Sequence, residues 1–203
     1  AEKPVVVCHP SNQTRFGGFF YFREPAIERV FYLEFHMDPF WVIEARKHIG
    51  QKEVPGAASN PWIKAMWLKL KGGAWFWKAY GEDDSKLPWC GGFVAYCLTQ
   101  AGIEPPAKYA AAKEWLDWGV PLLHPCLGCV VVFTREGGGH VGFVVGMDER
   151  GRLMVLGGNQ GDKVSIAPFD RSRVAWYRMP RGFEQIYHLP LMDSAAPSSI
   201  NEA

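Results

Sequence analysis

Long apolar runs are missing from this chain. Stretches such as Val130–Phe133 and Phe19–Phe22 fall far short of the roughly 20 residues that a bilayer-crossing helix requires, so no membrane span is expected. Charge of one sign is missing too. Against 22 Lys plus Arg stand 21 Asp plus Glu, a formal net charge of +1, which leaves no basic footprint for a phosphate polymer and excludes nucleic acid as an expected partner. Cysteine is scarce: five in 203 residues is too few for a disulfide-built scaffold, and an odd number leaves at least one thiol unbridged. No basic segment followed by an apolar stretch and a small-residue cleavage site opens the chain at Ala1.

What is there suits a folded domain. Hydrophobic residues make up 48% and charged residues 21%, with a mean hydropathy of −0.12, and the length allows one ordinary domain plus extensions. Residues 1–36 are aromatic-rich without a clean period and read as an N-terminal extension of uncertain order. Residues 37–190 read as the folded domain, and 191–203, rich in Ser, Ala, Pro and Asn, as a flexible C-terminal tail.

The first half of the domain has helical spacing. Trp41, Ala45 and Ile49 recur at four-residue steps before Gly50. Asn60 and Pro61 provide a cap and a first helical position for Trp62, Ala65, Met66 and Lys69, with Gly72 and Gly73 as the stop. A third helix begins near Cys90, carries Phe93, Val94, Cys97 and Leu98, and ends at Gly102; a fourth covers about Ala110 to Trp118. The period then changes. Apolar runs at Cys129–Thr134, His140–Met147, Leu153–Leu156, Val164–Ala167 and Val174–Arg178, separated by glycine-rich and charged turns, read as strands. Helices followed by a meander predict an α+β domain with an antiparallel sheet.

The chemistry concentrates at Pro88-Trp89-Cys90-Gly91-Gly92-Phe93. Apolar helical spacing begins directly after the cysteine, so Cys90 is placed at a helix N-terminus. There the unpaired amides and the positive end of the dipole favour thiolate, the nucleophilic form, and can also hold an oxyanion. Cys97, two turns on, points into the packing. A thiol nucleophile needs an imidazole and a group that orients it. His140 follows three glycines at the head of a strand, whereas His48 falls in a helix, His124 in a proline-flanked loop, and His9, His36 and His188 toward the ends. Asn159, closing Leu156-Gly157-Gly158-Asn159-Gln160, ends the neighbouring strand and can accept a hydrogen bond from the ring, or else serves simply as a turn asparagine.

These blocks, in this order, resemble the papain-like cell-wall hydrolases of the NlpC and CHAP superfamily. The similarity spans roughly Trp41 to Tyr177: Pro88–Ala95, Trp115–Pro121, Val130–Phe133, Gly138–Phe143, Val155–Gln160 and Ile166–Phe169. The resemblance implies a papain-like α+β fold with N-terminal helices packed on a five- to six-stranded antiparallel sheet. It implies cleavage of an amide in the peptide stem of bacterial peptidoglycan through an acyl-enzyme, with Cys90 attacking, His140 shuttling the proton and Asn159 orienting the ring, and it requires no cofactor. The nearest look is to phage lysins and secreted effectors, which act in the periplasm or cell wall after release by lysis or delivery by a secretion system. An effector would have an immunity protein, and residues 1–36 would serve as its delivery or partner-binding arm. A non-catalytic binding module and a transacylase on the same fold are the alternative readings.

Candidate substrate contacts are Trp89, Tyr80, Gly91 and Gln160, with Trp75, Phe76 and Trp77 in the loop before the active helix. Trp89 either walls the cleft or packs beneath it. His124-Pro125-Cys126-Leu127-Gly128-Cys129 departs from the acidic residue that relatives commonly carry after a proline-glycine turn. The cluster is open to two readings, a zinc site or a redox pair of Cys126 and Cys129; three metal-type ligands at that spacing are one short of a closed site, and no metal is assigned.

Overall fold

The computed structural model describes the backbone of 19–24 and 27–32, and residues 38–56, 58–135, 138–194 and 198–199. The chain divides into two compact units, Ala1–Met37 and Asp38–Ala203. In the first, β1 (Phe19–Glu24) pairs antiparallel with β2 (Ile27–Tyr32), in register from Phe19 opposite Tyr32 to Glu24 opposite Ile27. The hairpin lies in a segment whose sequence has no clean period.

The second unit opens with α1 (Phe40–Arg46). Its Trp41, Val42 and Ala45 are buried, and Trp41 Nε1 donates to the Gly128 carbonyl at 2.8 Å. Next comes α2 (Pro61–Lys69), where the Asn60 side chain accepts from the Trp62 amide at 2.8 Å and Pro61 stands at the first helical position. The buried face of α2 is Ile63, Met66, Trp67 and then Leu70, which shares Met66 with the expected Trp62, Ala65, Met66 and Lys69 but is otherwise rotated from it. Gly72, at φ 78°, does end α2, but Gly73 then starts α3 (Gly73–Ala79), a helix in place of the loop that the paired glycines suggest. Glycine is required there because a Cβ would lie 1.8 Å from the Trp67 carbonyl oxygen. The central helix is α4 (Cys90–Gln100), buried from Cys90 through Leu98. The fourth expected helix is a short 3-10 helix, Ala112–Asp117.

Six strands follow: β3 (Val120–Leu122), β4 (Val130–Arg135), β5 (Gly138–Met147), β6 (Leu153–Gly157), β7 (Ser165–Phe169) and β8 (Val174–Met179). They form one antiparallel sheet in the order β3-β8-β4-β5-β6-β7. The meander β4 to β7 matches the expected run, and β8 returns to the far side of β4. Strand β3 escaped notice because Pro121 interrupts it; Pro121 and Pro168 lie in the two edge strands, where a missing N–H is tolerated. The domain is α+β, with α4 packed against β5 and β6 and flanked by α1 and α2. Between α4 and the sheet, Trp89, Phe93, Val94, Leu98, Val141, Phe143, Val155 and Leu156 are wholly or almost wholly removed from solvent.

The stretch expected to be a loose tail is pinned at its start. Met147 N donates to the Pro190 carbonyl and Met192 N to the Met147 carbonyl, both at 2.9 Å. Arg152 Nη2 reaches the Ser194 carbonyl at 3.3 Å while its guanidinium also pairs with Asp148 at 2.7 Å. Among the described residues no helix is long and apolar enough to cross a membrane.

Candidate active site

Cys90 is the first residue of α4. Trp89, the residue before it, supplies no capping side chain, and the first turn holds no acidic residue. The capping residue therefore offers no side-chain acceptor to the first-turn amides, and no acidic side chain of that turn offsets the positive end of the dipole. Two glycines let the turn seat itself. A Cβ on Gly91 would come 2.2 Å from the Tyr109 carbonyl oxygen, and one on Gly92 2.8 Å from the Trp67 ring.

In front of Cys90 lies a cleft of about 570 Å³. Phe76 and Tyr80 of α3, Leu87 and Pro88 ahead of α4, the segment from Lys108 to Leu116, and Val132, Phe133, Thr134, Gly138 and Gly139 of the sheet complete its lining. Cys90 is only 5% exposed, and its open side faces this cleft.

His140 is the third residue of β5, opposite Phe133 on β4. It is 1% exposed. Its Nε2 lies 3.0 Å from Gln160 Oε1. The other end of that amide is committed: Gln160 Nε2 donates to the Ser165 carbonyl at 2.7 Å and the Val155 carbonyl at 3.2 Å. With the amide turned that way, its oxygen faces the ring, so the ring nitrogen must carry the proton. A neutral imidazole protonated on Nε2 keeps its basic lone pair on Nδ1.

One face of the ring is covered by aromatics. Phe169 stacks on it at 5.4 Å and 2°, Phe133 lies at 6.2 Å and 22°, and the Arg173 guanidinium sits over both phenyl rings at 5.6 and 5.8 Å. This stack fixes the plane of the imidazole and keeps water from that face.

The two halves meet at Gly157 and Gly158. A Cβ on Gly157 would lie 3.2 Å from His140 Nε2, and one on Gly158 would lie 2.6 Å from the Trp89 ring and 2.7 Å from Phe93 Cβ. The end of β6 is thus a thin spacer between the histidine and the first turn of α4. In addition, Cys90 shares its cleft with Gly139 and Phe133, the residue before His140 and its cross-strand partner.

The remaining expected contacts separate. Tyr80 is 41% exposed and lines the cleft. Trp89 is fully buried and donates from Nε1 to Glu53 Oε1 at 2.7 Å, so it packs beneath the site instead of walling it. Gly91 acts by close packing, and the buried side chain of Gln160 is turned to His140 rather than toward a substrate. Asn159 is buried in the left-handed region at φ 59°, a conformation asparagine tolerates.

The other thiols have different surroundings. Burial pushes Cys97 well above the ordinary cysteine range. Cys126 and Cys129 form a tight turn, with Cys129 N donating to the Cys126 carbonyl at 3.1 Å. The Cys129 thiol holds Cys126 down, while burial drives Cys129 up. Among the described residues no group of three His, Cys, Asp or Glu could hold a metal ion.

Residues 82–159 match the CHAP domain family. This stretch is similar to a CHAP domain. That family is of the peptidoglycan amidase and endopeptidase type, hydrolases acting on the cell wall. The CHAP match begins eight residues before Cys90 and ends at Asn159, so it takes in the helix start, the histidine strand and the glycine spacer. Searches of curated proteins and of solved structures return no match.

The residue types alone do not indicate the aromatic stack or the contact between Gln160 and His140. Phe133 and Phe169 were visible as strand residues, but only the register stacks them beside the imidazole. The signal for Gln160 was its place beside Asn159, where one turn residue more or less decides which amide faces the ring.

Proposed function

We propose that this CHAP domain is a cysteine hydrolase that cuts an amide in the peptide stem of peptidoglycan, with Cys90 as nucleophile, His140 as general base and acid, and Gln160 as the group that orients the ring. The observation that carries the reading is Cys90 at an uncapped helix start, facing a cleft it shares with the immediate neighbours of His140. His140 Nδ1 takes the thiol proton as sulfur attacks the carbonyl carbon, and the oxyanion is met by amides of the first turn of α4. The C–N bond then breaks, the proton passes from the imidazole to the leaving nitrogen, and a thioester remains on Cys90. Water attacks that thioester, giving one proton to His140, and the acyl group leaves as a carboxylic acid while the proton returns to sulfur.

Gln160 holds the tautomer this sequence needs, since its oxygen accepts from Nε2–H in both the neutral and the protonated ring. In this reading the orienting role expected of Asn159 falls to its neighbour. The test is digestion of purified sacculi followed by mass analysis of the released fragments. Wild type is expected to release fragments with new stem termini, and Cys90→Ala and His140→Ala to release none. Wild-type release by Cys90→Ala would overturn the proposal, a joined product in place of free fragments would indicate acyl transfer, and binding to sacculi without release would indicate a recognition module.

A further inference from the structure

Among the described residues, the charged side chains lining the Cys90 cleft are of one sign. They are Lys108 and Lys113, and no described Asp or Glu contributes to the lining. That is a local departure in a chain whose formal net charge is only +1. Both lysines are exposed, and among the described residues no ion pair engages either.

The wall that carries them is fixed against the nucleophile's helix. Tyr109, next to Lys108, is buried and anchors through its hydroxyl to the Lys71 carbonyl at 3.0 Å, and its own carbonyl accepts from Trp115 Nε1 at 2.9 Å. The Tyr109 and Ala110 carbonyls lie against Gly91, where a Cβ would come within 2.2 and 3.0 Å of them. The backbone that carries the two lysines is therefore fixed on one rim of the cleft, which Phe76 and Leu116 also line with apolar surface.

We infer that the cleft selects peptides bearing free carboxylates close to the scissile amide, and discriminates against the same peptides in amidated form. The inference rests on the hydrolase reading above and names its substrate class. Carboxylates would replace the water and counterions now solvating Lys108 and Lys113, and such exposed pairs typically contribute about 0.2–1 kcal/mol each. Each Lys→Gln change should therefore lower kcat/KM by a factor of roughly 1.5 to 5.

The probes are disaccharide-peptides released from sacculi, in two forms: native, and with their carboxyls converted to amides by carbodiimide and ammonia. Wild type is expected to cut the native form several-fold faster, with a gap that narrows in 0.5 M salt. K108Q/K113Q should lose most of that preference, while Lys64→Gln, an exposed lysine of α2 away from the cleft, should keep it. Equal kcat/KM for the two forms, or a preference unchanged in K108Q/K113Q, would overturn the inference while leaving the hydrolase reading intact. Binding of both forms to Cys90→Ala separates the remaining cases. Tighter binding of the native form that depends on the lysines supports the inference even if wild type turns over neither probe, whereas equal binding without turnover overturns both readings.

Discussion

Replacing Gln160 by leucine preserves side-chain volume but removes the oxygen that faces His140 Nε2 at 3.0 Å and the amide donor that serves the Ser165 and Val155 carbonyls. The histidine is 1% exposed, so water cannot take the place of the lost acceptor. A buried donor left without its partner costs about 1–3 kcal/mol, and the ring can escape that cost by moving its proton to Nδ1, which removes the base. If the whole cost falls on the transition state, kcat/KM drops by a factor of about 5 to 160. Gln160→Glu separates orientation from mere packing. Its carboxylate still accepts from Nε2–H and favours the imidazolium, so the acidic limb of the kcat/KM profile should move to higher pH. The assay is release of soluble fragments from sacculi across pH 4–9, alongside thermal denaturation to confirm folding. A folded Gln160→Leu protein with wild-type kcat/KM, together with an unshifted profile in Gln160→Glu, would refute the reasoning.

Gly158→Ala places a methyl 2.6 Å from the Trp89 ring and 2.7 Å from Phe93 Cβ. It should cost about 1–3 kcal/mol of stability and depress activity in the protein that remains folded, read by thermal melting and sacculus digestion; full activity would mean that the spacing between β6 and α4 is not critical. Burial raises the Glu53 carboxyl above its ordinary range, with the Trp89 hydrogen bond opposing and Asp162, Asp84 and Asp83 adding to the rise. A raised folded-state value means stability is lost as pH climbs from the unfolded carboxyl range through the folded one. Glu53→Gln keeps an oxygen for Trp89 Nε1 and removes that loss, so its melting temperature should equal wild type near pH 4 and exceed it at pH 7. The gain should stay below about 1 kcal/mol because the group is partly solvated; a lower melting temperature at pH 7 would contradict this.

Much of the site was legible because it follows from local rules. A proline-tryptophan-cysteine-glycine-glycine run before apolar helical spacing can put its cysteine in few places other than the head of a helix, and Cys90 stands there. The alternating runs after Gly128 yielded the antiparallel meander for the same reason. Helix α3 was missed because Gly72 and Gly73 read as one stop, whereas the first ends α2 in the left-handed region and the second begins the next helix beneath Trp67. Trp89 shows the limit of position alone. Adjacency to a nucleophile suggests a cleft wall, but the helix start turns its side chain inward to Glu53. The partner of His140 depended on the left-handed turn at Asn159 and the return bond from Gln160 N to the Lys163 carbonyl at 3.0 Å, a geometry that residue types do not specify. Nor could spacing reveal that Phe133 and Phe169 stack beside the imidazole, since that depends on the register of β4 with β5 and of β6 with β7.

The central claim is an activated thiol at Cys90, and the most direct measurement is its alkylation rate by iodoacetamide as a function of pH, followed site by site by mass spectrometry. Cys97, Cys126 and Cys129 are fully buried and provide internal references, with glutathione as an exposed one. The account predicts that Cys90 reacts first, faster than glutathione at pH 6, and that His140→Ala removes this advantage. A Cys90 that reacts no faster than glutathione at pH 6, or equally fast with and without His140, would contradict it.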